Sequence, residues 1–308
     1  MNTFEKIMAA FHTSQIASGL SPLTVESYKS SLTGYSEFCT RLEKMPFERE
    51  TLLAWKSSLS EKNKMSTVGL RMIHIDAFMK FALEFRYIPE NPCSESVKKI
   101  KSAPHKPYKN LLTADEILVL LLDSAPPKGM TKSLFPRNLA IITLLLTSAA
   151  RNSELRSLSP SDLDWKNCKI CLTETKGDRY REVPFPQKAQ EAVKAYLQSG
   201  LRPESASDTE ALFGTIQNEK WQPFTRQGLS KLVERHVRMV TSHSGERSHA
   251  LRHASASYML SNGASLDVLQ DLMGHSDSNT TRVYAERLSG SASTDVANKI
   301  FNKISISA

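Results

Sequence analysis

Residues 97 to 110 read VKKIKSAPHKPYKN, a lysine-rich stretch with two prolines and almost nothing to bury. A segment of that composition does not belong in a core, and it reads as an extended linker. The 308-residue chain must then bury its apolar side chains separately on either side of it. At this length one or two domains are expected. We place a helical domain at 1–100, the basic linker at 101–110 and a second domain at 111–308. The linker suits a phosphate backbone as well as it suits plain solvent.

The first hundred residues carry helical periodicity. Ser21-Pro22 is a helix start, an N-cap followed by a proline at the first helical position. Val25, Tyr28, Leu32, Tyr35 and Phe38 follow at helical spacing. A second helix is expected from Thr51 through Trp55 to Leu59. A third is expected from Ser66 to Phe85, with Leu70, Ile73, Ala77, Phe81 and Leu83 to Phe85 as its apolar stripe. Ile88-Pro-Glu-Asn-Pro92 ends it, because proline cannot continue a helix.

The second domain opens on a capping box. Thr113 is the N-cap, Glu116 reaches back, and Leu112 is placed to staple the turn. A strongly apolar helix spans about Arg137 to Thr147. The runs 169–175 and 180–185 alternate as two strands, with Gly177-Asp178 as the turn between them. From about Gln187 to Leu288 the pattern is mostly helical. The fold class is therefore mostly α with a small β-hairpin or sheet, an α+β arrangement.

Several function classes fall away. No apolar run approaches the roughly 20 residues of a membrane span. The N-terminus lacks a basic start followed by an apolar segment, so it is not a secretory signal, and a cytoplasmic protein is expected. Four cysteines are scattered at 39, 93, 168 and 171. Cys168-Lys-Ile-Cys171 has metal-ligand spacing, but no second Cys or His pair matches it, so packing is the better reading. The formal charge of +8 tilts toward an anionic partner without naming one.

The chemistry-bearing residues lie in four places. Arg151 follows the apolar helix in TSAARNSELRSL, Lys176 sits at the hairpin tip, and HALRH runs from His249 to His253. GHSDSNTTRVY places Tyr284 nine residues after His275. Half of the chain's 8 histidines, His243, His249, His253 and His275, crowd this region. Each residue has an ordinary reading alone. Arg151 beside Glu154 on one helical turn usually marks a surface ion pair of little worth, and a lysine at a hairpin tip is usually solvated. His249, Arg252 and His253 share one helix face.

Together the set suits one task. Arg supplies planar donors for the non-bridging oxygens of a phosphodiester. His moves protons near neutral pH. Lys donates to a leaving oxygen, and Tyr is a covalent nucleophile. No carboxylate cluster for Mg²⁺ accompanies them. A metal-free phosphoryl transfer needs such a cationic clamp.

In these motifs the chain resembles the tyrosine recombinases, the phage-integrase family. The match rests on Arg151 in ARNSEL, Lys176 in TKGDR, His249 to Arg252 in HALRH, and His275 to Tyr284. It covers about Leu112 to Leu288, and the N-terminal helices are more weakly similar to the family's core-binding domain. The resemblance implies that Tyr284 attacks the scissile phosphate to form a 3′-phosphotyrosine and free a 5′-hydroxyl. It implies that Arg151 and Arg252 hold the non-bridging oxygens and that Lys176 protonates the leaving oxygen. His249 then helps take the tyrosine proton and His275 hydrogen-bonds the phosphate. Glu154, Ser153 and His253 are candidates to support them, with a plain helix-surface carboxylate as the equal alternative for Glu154. The implied partners are double-stranded DNA with an inverted-repeat core site and further copies of the chain in a tetramer, alone or with a related recombinase. The exchange passes through a four-way junction and needs neither ATP nor metal.

Two departures from the family pattern stand out. Ala149 occupies a position where the family commonly has Gly, and Asn152 one where it often has an apolar side chain. A Gly at 149 serves a backbone angle that Ala resists. Past Tyr284, SGSAS is a flexible joint. A short helix at about 294–304, capped by Thr294-Asp295, follows with Val296, Ala297, Ile300, Phe301 and Ile304 on one face. The resemblance implies that it docks on a neighbouring protomer, and docking on its own domain is the alternative. The sequence starts almost at the helical domain, so an additional arm-binding domain is not expected. Two rival readings stand beside the recombinase. A non-catalytic DNA-binding protein would not need Tyr284 and its partners. A type IB topoisomerase would not need the separate helical domain and the docking helix.

Overall fold

The computed structural model describes residues 3–93, 112–122, 125–173, 180–241 and 248–273. The chain divides into two compact units, Met1–Lys106 and Pro107–Ala308. The linker, the Gly177-Asp178 turn and the C-terminal helix expected at 294–304 lie outside the described residues.

Among the described residues four helices build the first unit: α1 (Thr3–Ala17), α2 (Pro22–Arg41), α3 (Arg49–Lys62) and α4 (Met65–Glu84). Helix α2 begins as its sequence dictates. Ser21 is extended, and its hydroxyl accepts the Thr24 backbone N–H at 3.3 Å. Leu32, Tyr35 and Phe38 are buried, with Tyr28 packed at the edge. The core is aromatic, Phe4 lying 5.0 Å from Phe78 and Tyr35 lying 5.1 Å from Trp55. The Tyr35 hydroxyl donates to the Pro46 carbonyl at 2.8 Å, so burying this ring leaves its polar atom satisfied.

Helix α4 corrects the sequence reading. Its buried face is Val68, Met72, Ile75, Phe78, Met79 and Ala82, whereas Leu70, Ile73 and Phe85 are 49%, 59% and 56% exposed. The helix is apolar around most of its circumference, so two stripes satisfy the same period. Only packing against α1, α2 and α3 chooses between them.

The second unit is arranged around one buried helix. Helix α5 (Ala114–Leu122) opens on the expected capping box. The Thr113 N–H donates to Glu116 at 2.9 Å, the Glu116 N–H donates to the Thr113 hydroxyl at 3.2 Å, and Leu112 is buried. Helix α6 (Phe135–Ser148) follows, and every residue from 140 to 150 is buried. Then come the short α7 (Asn152–Ser157) and strands β1 (Leu163–Asp164), β2 (Lys169–Thr173) and β3 (Tyr180–Pro184). They form one antiparallel sheet in that order, with Ile170 opposite Val183 and Leu172 opposite Arg181. Helix α8 (Gln187–Gln198), strands β4 (Gly214–Gln217) and β5 (Lys220–Pro223), and helices α9 (Arg226–Val240), α10 (Ser248–Ser261) and α11 (Leu266–Met273) complete it. Helix α6 packs on α5, α8, α9, α10 and β3, so its C-terminal end is surrounded by structure.

The fold is mostly α with two small sheets, in agreement with the sequence. The β4–β5 hairpin is a correction to a region read as mostly helical. Its strands are four residues each, and its turn uses Asn218 and Glu219, both at positive φ (50° and 62°), in place of an Asn-Gly pair. Cys168 and Cys171 are free thiols, and Cys168 accepts a hydrogen bond from Gln190 at 3.3 Å. Among the described residues no cluster of three or more His, Cys, Asp or Glu is arranged to hold a metal, and no helix is long and apolar enough to cross a membrane.

Candidate functional site

The site grows from the last residues of α6. Ala149 ends the helix in the left-handed region, φ 49° and ψ 30°, where a non-glycine residue pays about 1–2 kcal/mol. That turn carries the chain out of α6 and presents Arg151 as the extended residue before α7. Glu154, three residues on, accepts the Arg151 backbone N–H at 2.6 Å and its guanidinium at 2.7 Å.

This is not the surface pair that the spacing alone suggests. Glu154 is 2% exposed, and a second guanidinium, that of Arg181 on β3, donates to its other oxygen at 2.7 Å. Burial pushes the Glu154 carboxyl pKa up. The charge of Arg181, the Arg151 backbone N–H and the charge of Arg151 outweigh burial and hold it below its ordinary value.

Arg252 comes in from α10 and is buried at 2% exposure. It donates to the carbonyl of Ala149 and to that of Met273, the last residue of α11. Arg151 and Arg252 thus meet at the same end of α6. Two guanidiniums share the Glu154 carboxylate and a third, that of Arg252, is held by backbone carbonyls, so the excess at this end of α6 is positive, which suits a phosphate.

The remaining sequence candidates divide cleanly. His253 is half-buried on α10. His249 is the second residue of α10, three before Arg252, and its side chain lies outside the described residues. Lys176, His243, His275 and Tyr284 also lie outside them. Asn152 ties α7 to its neighbours, its amide donating to the hydroxyls of Ser230 at 3.3 Å and Ser248 at 3.0 Å. Ser248 opens α10, so the departure at 152 exchanges an apolar contact for a polar link to the helix of Arg252.

Arg181 escaped the sequence reading. Its signal was present: it lies two residues before Val183, on the strand face that also points Ile170 and Leu172 inward. A charge on a buried strand face requires a counter-charge, and Glu154 supplies it.

Solved structures share this fold. The XerH site-specific recombinase bound to palindromic difH substrate superposes with a TM-score of 0.70 at 21% identity, covering 87% of this chain and 77% of that one. The Tn1549 transposon integrase in complex with transposon right end DNA gives 0.71 at 19% identity, covering 99% and 100%. The architecture is that of the DNA recombinases. Sequence carries the identification further. The phage integrase family matches residues 110–289. Tyrosine recombinase XerD of Halalkalibacterium halodurans is 31% identical over 284 residues, 89% of this chain and 90% of that protein. XerC of Anoxybacillus flavithermus is 28% identical over 279 residues, 88% and 89%. The chain belongs to the phage integrase family. It is a tyrosine-type site-specific recombinase, an enzyme that cleaves and rejoins DNA strands.

Proposed function

We propose that Arg151, Lys176, His249, Arg252, His275 and Tyr284 are the strand-transfer centre of this recombinase. The observation that carries the reading is the meeting of two arginines at the end of α6 over a buried Glu154. The Tyr284 oxygen attacks the scissile phosphorus, its proton passing toward His249. The bond from phosphorus to the 5′-oxygen breaks, Lys176 protonates that oxygen, and a 3′-phosphotyrosine remains. Arg151 and Arg252 hold the non-bridging oxygens as charge gathers there, and His275 donates to the same phosphate. Attack by a 5′-hydroxyl from a second duplex reverses each step and passes through a four-way junction. The bond energy stays in the protein ester, so the exchange draws on neither ATP nor metal.

The partner is double-stranded DNA with an inverted-repeat core site. Four copies assemble on two duplexes, alone or with a related recombinase, and the segment 294–304 docks on a neighbouring copy. The helical domain, 1–100, is a DNA-binding domain, and the basic linker at 101–110 joins it to the catalytic domain, 111–308. The protein works in the cytoplasm, where such DNA is found.

A nicked duplex selected for binding from a randomised pool tests the chemistry. On a denaturing gel the native protein should shift the DNA as a covalent adduct, and Tyr284→Phe should abolish it. Absence of any adduct on a duplex that the protein binds specifically would overturn the reading.

A further inference from the structure

Arg181 has no part in the chemistry just described, yet its side chain joins two elements under the site. Its side chain is 10% exposed. One end of the guanidinium holds Glu154 at 2.7 Å, and the other donates to the Leu272 carbonyl. Arg252 takes the next carbonyl, that of Met273. The final two carbonyls of α11 therefore end on two guanidiniums, a favourable seat for the negative end of a helix.

One of those guanidiniums shares its carboxylate with Arg151, so the end of α11 is linked to the Arg151 guanidinium through Arg181 and Glu154. His275 follows Met273 by two residues and Tyr284 by eleven. The last described turn before both residues is thus held by this seat.

We propose that Arg181 is a positioning residue, setting the C-terminal end of α11 against Arg151 through their shared Glu154. The inference rests on the proposed roles of Arg151 and Tyr284. Geometry explains why an arginine is needed. A guanidinium reaches a carboxylate and a carbonyl at once with separate planar donors, whereas an ammonium is a point charge on a single stem. Lysine at 181 keeps the charge that Glu154 requires in the interior but cannot span both acceptors.

The test uses the full-length protein and the selected nicked duplex. For Arg181→Lys, three quantities are compared with the native chain: the thermal midpoint, the DNA-binding midpoint and the single-turnover rate of covalent adduct formation. The expected result is an unchanged thermal midpoint, binding within twofold, and adduct formation at least tenfold slower. Adding Arg181→Lys to Glu154→Gln should slow that variant no further. Adduct formation within twofold of native overturns the proposal. So does slowing matched by an equal loss of DNA binding or by a falling thermal midpoint, since those mark a merely structural arginine. Failure of the native chain to form any Tyr284-dependent adduct would instead strike the proposed catalytic assignment, and the two failures are therefore distinguishable.

Discussion

Ala149 shows how a single backbone angle shapes this site. Relieving a left-handed alanine is worth about 1–2 kcal/mol. Losing its buried methyl costs about 0.8 kcal/mol, and the added freedom of glycine in the unfolded chain costs about 0.4–1 kcal/mol. These nearly cancel, so Ala149→Gly should leave the denaturation midpoint almost unchanged, while Ala149→Val, β-branched at φ 49° in a fully buried position, should lower it clearly. A midpoint raised strongly by glycine would show that the methyl contributes nothing. At Glu154 the signs differ. Its folded pKa lies below the ordinary 4.5, so its stabilising effect is fully present above that value and disappears as pH falls through the lower folded value. Glu154→Gln should cost about 3–5 kcal/mol at neutral pH, because it leaves the buried Arg181 uncompensated. The loss should shrink in acid, as chemical denaturation across pH would reveal. What was legible at this scale was the pair of arginines at the end of α6. Arg151 and Arg252 were read from their motifs. The burial of Glu154 was not, because a carboxylate at the third position of a helix has the same spacing whether it faces water or a core.

The elements divide along the same line. Caps were legible because their chemistry is local: Ser21 and the Thr113–Glu116 box depend on residues three apart. The buried face of α4 and the β4–β5 hairpin were not, because each depends on contacts distant in sequence. Two element-scale outcomes follow. In β4, a Cβ added at Gly214 would lie 2.3 Å from the Gln222 carbonyl oxygen and 2.9 Å from the Trp221 ring. Backbone cannot yield cheaply, so Gly214→Ala should destabilise the protein by about 1–3 kcal/mol, the usual cost of overpacking. In α9, His236 is fully buried beside the Phe135 ring, and neither ring nitrogen has a hydrogen-bond partner among the described residues. Burial pushes its pKa down to about 4. Between that value and the ordinary 6.5 the unfolded chain binds a proton that the folded chain refuses, so stability falls as pH falls. The loss should approach roughly 2 kcal/mol from pH 7 to pH 5. Replacing the imidazole by His236→Leu should flatten that slope; an unchanged slope would assign the acid sensitivity to another group.

At the scale of the whole molecule the excess of basic residues becomes a measurable property. The formal charge of +8 comes from 40 Lys and Arg against 32 Asp and Glu. Much of the excess lies in the lysine-rich stretch at 97–110. A duplex is a line of phosphates with condensed counterions, and each phosphate that a Lys or Arg neutralises releases close to one of them. The logarithm of affinity then falls with the logarithm of salt by about 0.9 per contact. A DNA recombinase with this excess of basic residues should make several such contacts. Affinity for a duplex of arbitrary sequence should therefore drop by at least tenfold between 50 and 200 mM salt, about what two contacts alone would produce. Replacing Lys98, Lys99 and Lys101 together by Gln should lessen the slope without moving the thermal midpoint, because a stretch of this composition offers almost nothing to bury. Filter binding across a salt series measures the slope directly. A slope identical in the triple variant would mean that the lysines stay in solvent and that the two folded units alone hold the backbone.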